Sequence, residues 1–260
     1  LLFEGGEVNR ALRASLQAAL GAGTAADLAA QSSANRVGID RLEQLITVLS
    51  AERYGNAIDQ LNGYGRAVAE AGVRRIPDGR YCFEDVMDSD GHAAANCTIK
   101  VANTVADAAV QVDFTGTSAA VPGNINCPLS VTAAGVFYVI RCLLPPETPA
   151  CAGAFDVVTI QATPGCLVHA QRPAATAAGN VETSMRIVDC MLGALAEALP
   201  NEIPAASQGT MNNVAMGQVG HWDYYETLGG GTGASANQKG IDAVQSHMTN
   251  TLNTQIEVLE

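Results

Sequence analysis

The side chain best placed for direct chemistry is His247, preceded by Ser246 and followed by Met248-Thr249-Asn250-Thr251. An imidazole among hydroxyls and an amide can move a proton near neutral pH, hold a metal, or serve as a hydrogen-bond post. A structural histidine satisfied by those hydroxyls is the plain alternative. Glu182 and Asn180 stand together in Gly179-Asn180-Val181-Glu182-Thr183-Ser184. That run reads as a helix start, where a carboxylate suits the macrodipole and an asparagine caps free N–H groups. The same N–H groups can bind an oxyanion, and Gly179 would let a ligand approach. Asn126 in Gly123-Asn124-Ile125-Asn126, Asn213 in Gln208-Gly209-Thr210-Met211-Asn212-Asn213, and Glu226 in Tyr224-Tyr225-Glu226-Thr227 add further amides and a carboxylate. Uncharged hydrogen-bonding groups among apolar residues suit a dry pocket that orients a small polar molecule. Gly229-Gly230-Gly231-Thr232-Gly233 could wrap an anion, but it lacks the lysine and hydroxyl spacing of a P-loop. His92, His169 and His221 have no carboxylates at ligand spacing and read as structural, and there is no Gly-x-Ser-x-Gly nucleophile elbow.

Composition narrows the setting of these groups. Hydrophobic residues make up 48% and charged residues 15%, a low surface charge that suggests an exterior covered by more protein. The net charge of −12, with no basic cluster, argues against binding a phosphate backbone. The seven cysteines (82, 97, 127, 142, 151, 166 and 190) are single and odd in number, which points to reduced, mostly buried thiols in a reducing, cytoplasmic compartment. No apolar run is long enough to span a bilayer. The opening Leu1-Leu2-Phe3-Glu4 reads like the middle of a fold, and Gln255-Ile256-Glu257-Val258-Leu259-Glu260 like a strand cut short.

The elements that must carry these residues form one α+β unit. Residues 7–75 read as helical: Val8, Leu12, Leu16 and Leu20 recur at four, and Thr24-Ala25-Ala26-Asp27 resembles a capping box. Ser32, Asn35, Ile39, Leu42, Leu45, Ile46 and Leu49 then trace a stripe with a polar beginning, and a weaker helix over 51–72 contains Gly63 and Gly65. After the Pro77-Asp78-Gly79 turn the period becomes two. Arg80–Val86, Cys97–Val101 and the alternation of Val110, Val112 and Phe114 predict an antiparallel β-meander. A nearly all-apolar helix follows Pro128 and runs to Leu144, a short strand covers 155–162, and a second strong helix begins at Asn180. Two weaker strands fall near 211–217 and 221–228. The expectation for residues 76–260 is two buried helices packed on a mixed sheet, following the N-terminal helical segment of residues 1–75.

Several of these words in order resemble one family. Asp113-Phe114-Thr115-Gly116-Thr117-Ser118, Gly123-Asn124-Ile125-Asn126-Cys127-Pro128, Ala178 to Ser184, Pro204 to Asn213, Tyr225 to Gly231 and His247 to Thr251 are similar to the central part of the hydantoinase B/oxoprolinase family. The resemblance implies one component of an ATP-dependent hydrolase that opens a hydantoin, 5-oxoproline or lactam ring with a hydantoinase A-type partner. The partner would bind ATP and Mg and activate the carbonyl oxygen. It also implies a divalent metal, zinc or manganese, with family ligands expected upstream of Leu1. Within this chain it points to His247 and Glu182 as catalytic residues and to Asn126, Asn180, Asn213 and Glu226 as substrate contacts. A subunit of an acetone- or acetophenone-type carboxylase and a non-catalytic assembly module are the alternatives.

Overall fold

The computed structural model describes residues 2–4, 6–21, 23–93, 95–249 and 251. Asn250 and the strand expected at residues 255–260, with Glu257, lie outside the described residues. The chain divides into two units, Leu1–Gln60 and Leu61–Glu260. In the first, a short hairpin of β1 (Phe3–Glu4) and β2 (Glu7–Val8) leads into α1 (Arg10–Leu20). Asn9 caps α1, its side chain accepting from the Leu12 N–H at 3.0 Å. Helix α2 (Gly23–Leu49) already begins one residue before Thr24, so the expected capping box does not open it. The apolar stripe is open to solvent: Ile39, Leu42 and Leu45 are 58%, 41% and 43% exposed. Helix α3 (Ala51–Val73) starts in this unit and ends in the next. It runs unbroken through Gly63 and Gly65, because its second half is anchored by buried Ala69 and Val73.

The second unit is built on the sheet β3 (Gly79–Ser89), β4 (Ala95–Ala106), β5 (Ala109–Asp113) and β6 (Val158–Gln161), in that spatial order. The first three strands form the antiparallel meander read from the sequence, while β6 pairs with β5 in parallel, Val110 opposite Val158. The tight turn between β4 and β5 places Asp107 and Ala108 at φ 51° and 62°, the left-handed pair that a two-residue hairpin demands. Val110, Val112 and Phe114 point inward and Gln111 outward, as the alternation requires. Helix α5 (Ser184–Leu195) lies across β3 and β4, and α4 (Leu129–Leu143) packs on α5. Both helices contribute to a core with Ile99, Val105, Leu167, Ile187, Met191 and Leu195. A hairpin of β7 (Asn213–Gln218) and β8 (Trp222–Thr227) follows, and residues 228–249 return along the loop at 205–212. No helix among the described residues is long and apolar enough to cross a membrane.

Candidate functional site

The motif words that are far apart in sequence come together around the start of α5. That helix is preceded by a π-helical turn, Gly179–Thr183, with Ala178 at the N-cap position and no side-chain cap. Asn180 therefore sits inside the turn rather than capping it. Its carbonyl accepts from the Ser184 hydroxyl at 2.7 Å, and its side chain is exposed. The space at Gly179 is taken up by the chain itself: a Cβ there would fall 2.0 Å from the Asn126 carbonyl oxygen, so the glycine allows backbone to approach backbone.

Glu182 lies on this turn and accepts from the Thr210 hydroxyl at 2.5 Å, while the Val181 carbonyl accepts from the Met211 N–H at 3.1 Å. The loop carrying Thr210 is held in turn by residues 229–243. The Gln208 N–H donates to Gly231 O at 3.4 Å, the Ala243 N–H to Gly230 O at 3.3 Å, and the Thr232 N–H to Ile241 O at 3.0 Å. The glycine run is thus stitched to its neighbours and forms a packed floor, not an open phosphate cradle.

His247 follows residues 229–243 by a few positions. Its ring is 14% exposed, with Nε2 3.5 Å from Asp189 Oδ1 and Nδ1 3.3 Å from the Tyr138 hydroxyl. The Tyr138 and His247 rings meet edge to face, with centroids 5.8 Å apart. Asp189, 4% exposed, is ion-paired through Oδ2 with Arg186, whose other amino group pairs with Asp85 on β3. Burial pushes the Asp189 carboxyl up, and the Arg186 charge and the Ser207 N–H pull it down. Burial lowers the His247 pKa from its ordinary value, and the Arg186 guanidinium lowers it further. The imidazole is therefore neutral at physiological pH. Ser207 on Asp189 and Thr210 on Glu182 tie the two acidic groups to one short loop.

The remaining expected residues are placed differently. Asn126 is fully buried and committed to the fold: Oδ1 accepts from the Val121 N–H at 2.8 Å, and Nδ2 donates to the carbonyls of Val121, Gly123 and Ala175 at 2.8–2.9 Å. Asn213 opens β7, its Nδ2 donating to Met211 O at 2.8 Å and its Oδ1 accepting from the Thr227 hydroxyl at 2.7 Å. Glu226 lies on β8 with an exposed carboxylate that accepts from the Tyr224 hydroxyl.

Asp85, Tyr138, Arg186 and Asp189 went unread in the sequence. A signal was present: Glu182, Arg186 and Asp189 recur at four and three on a helix otherwise occupied by Met185, Ile187, Val188 and Cys190. Charges at helical spacing on a buried helix ask for partners, and Asp85 and His247 supply them. The thiols nearby do no such work. Burial raises Cys127 to about 11 and Cys190 to about 12, so both remain protonated. Among the described residues no group of three or more His, Cys, Asp or Glu side chains could hold a metal. The Asp85–Arg186–Asp189 arrangement does not fit one, because a guanidinium already stands between the two carboxylates.

The family model described as Hydantoinase B/oxoprolinase matches residues 1–260. The chain is 35% identical over 244 residues to 5-oxoprolinase 1 of Arabidopsis thaliana, covering 90% of this chain and 19% of that protein. It is 29% identical over 248 residues to the B-type subunit of a putative D-/L-hydantoinase of Pseudomonas sp. strain NS671, covering 90% of this chain and 42% of that one. The crystal structure of the ATP-dependent caprolactamase of Pseudomonas jessenii superposes with a TM-score of 0.81 over 94% of this chain and 44% of its own, at 22% identity, which shows a shared fold. The chain thus spans less than half the length of these relatives. With the family model matched from end to end, the chain belongs to the hydantoinase B/oxoprolinase family.

Proposed function

We propose that this chain is the central part of the B component of an ATP-dependent cyclic-amide hydrolase, acting on a hydantoin, 5-oxoproline or lactam ring together with a hydantoinase A-type partner. The observation that carries the reading is the buried His247, which opens one of the family's motif words and lies beside a carboxylate and a phenol, with burial lowering its pKa. A relative named as one subunit of a hydantoinase supports a partner chain.

The chemistry follows from the bond to be broken. An unstrained cyclic amide is a poor electrophile, and phosphorylation of its carbonyl oxygen by the ATP-binding partner would make the ring carbon electrophilic. Water adds there, the ring C–N bond breaks as the nitrogen leaves protonated, and a second water hydrolyses the resulting acyl phosphate to the ring-opened acid and phosphate. The first water must be deprotonated as it attacks, which a neutral imidazole can do at physiological pH. Glu182 and Asn180 on the π-turn, with Asn213 and Glu226 on the following hairpin, would hold the ring, acting by position more than by charge. Asn126 would shape that wall from behind, since its amide is spent on backbone. In this reading a zinc or manganese ion would be held by other parts of the full-length protein.

The test is ATP hydrolysis by the full-length B component with its A-type partner. Stimulation by hydantoin, 5-oxoproline or caprolactam with release of the ring-opened acid is expected. Stimulation by ketones with bicarbonate would replace this reading with the carboxylase one. No response to any of them would leave an assembly module.

A further inference from the structure

The buried charges around His247 do more than neutralise one another. We infer that Asp189 is the positioning residue for His247, fixing it as the tautomer protonated on Nε2 so that Nδ1, on the Tyr138 side, is the nitrogen that accepts a proton. The inference rests on the hydrolase reading above and assigns roles within the same site.

The geometry allows little else. Among the described residues Asp189 Oδ1 is buried without a conventional hydrogen bond, and the Nε2 of His247 faces it from 3.5 Å, while the Ser207 N–H also serves the same carboxylate. An ionised carboxylate only accepts, so Nε2 must carry the proton. Nδ1 is then a lone pair, and the Tyr138 hydroxyl at 3.3 Å donates to it. Asp189 cannot turn away, because Oδ2 is held by Arg186 and Arg186 by Asp85 on the neighbouring strand. Among the described residues, the charged and titratable groups that face the imidazole are thus Asp189 and Arg186 from α5 and Tyr138 from α4, with Asp85 on β3 behind Arg186. Burial raises the Tyr138 pKa well above that of a free phenol, with Cys142 adding to the shift, so the hydroxyl stays protonated at neutral pH. A proton leaving the attacking water then goes to Nδ1 in one of two balanced ways. It passes directly, or the Tyr138 hydroxyl gives its own proton to Nδ1 and takes the water's in return. Nε2 takes no part, since its proton is fixed by Asp189. A carboxylate that orients an imidazole in this way works by selecting the tautomer, and its amide analogue disturbs that selection without emptying the space.

Two-bond 1H–15N correlation spectra of the full-length B component labelled with [15N]histidine, with the His247 signal assigned by its loss in His247→Gln, read the tautomer directly. The wild type is expected to show His247 neutral near pH 7 and protonated on Nε2. Asp189→Asn should move the signal to the Nδ1-protonated form or to an average of the two, while Tyr138→Phe leaves it in place. In the A–B complex, Asp189→Asn should lower kcat by about 10²-fold or more with KM little changed, and Asp189→Glu should restore part of it. A wild-type His247 protonated on Nδ1, or a tautomer unmoved in a folded Asp189→Asn protein, would overturn the inference. If the complex hydrolyses no cyclic amide but the tautomer responds as described, the positioning stands and the hydrolase reading falls.

Discussion

His247 adopts φ 59°, a left-handed backbone conformation that is uncommon outside glycine and that needs support from its surroundings. Asp189 and Tyr138 provide that support by facing the two ring nitrogens, and so anchor the segment that bears the imidazole. His247→Ala is therefore expected to reduce ATP-dependent ring opening by the A–B complex by about 10²-fold or more, with assembly intact on size-exclusion chromatography. Unchanged turnover would return this histidine to a purely structural role. Asn126 makes the opposite case, being read from the sequence as a ligand contact and found with its amide given wholly to backbone groups. Asn126→Ala leaves three carbonyls and one N–H without that partner in a buried place, and should destabilise the full-length protein by about 2–4 kcal/mol. Denaturant unfolding checks this, and a change under about 1 kcal/mol would mean that water replaces the amide.

Helix α5 is the element on which the site depends, and its two faces explain how much of it could be read. Its apolar face (Met185, Val188 and the residues that follow at helical spacing) predicts a buried helix, and the structure agrees. The antiparallel alternation of β3 to β5 was equally legible, because a period of two reports one buried face. Local periodicity cannot show which distant element an isolated charge will meet. Arg186 joins Asp85, 101 residues away, and Asp189 meets His247 across a long return of the chain. The π-turn was unreadable for a related reason: nothing in Gly179–Thr183 distinguishes it from an ordinary capped start until the Asn126 carbonyl packs against Gly179. Arg186 clamps helix to sheet between two carboxylates, so removing it leaves both without their cation. Arg186→Met should cost about 2–4 kcal/mol, somewhat below the value for a fully buried pair because the Arg186 side chain is 20% exposed. Asp85→Asn, at the more exposed end, should cost clearly less. Equal losses in the two variants on chemical denaturation would contradict this ordering.

At the scale of the whole second unit, a helix, a strand and a returning loop are joined through ionisable groups, so their docking must respond to pH. The His247 pKa is lowered in the folded state, which means that the unfolded chain binds a proton more readily. Stability from His247 is therefore fully present above the ordinary histidine value of 6.5 and is lost as pH falls below it toward the folded value. Asp189 works in the other direction. Its pKa is raised, so the folded state binds the proton more readily, and as pH falls through its folded value toward 3.8 this carboxyl favours folding. The two groups therefore act in opposite directions as pH falls. Thermal unfolding of the full-length B component should accordingly show a midpoint that falls as pH is lowered from about 7 toward about 5.5, and His247→Gln should flatten that slope while leaving the acid limb below about pH 5 in place. A slope unchanged in the variant would mean that His247 is not the group that titrates. A midpoint that rises on acidification in the wild type would mean that the Asp189 effect outweighs the histidine effect over this range.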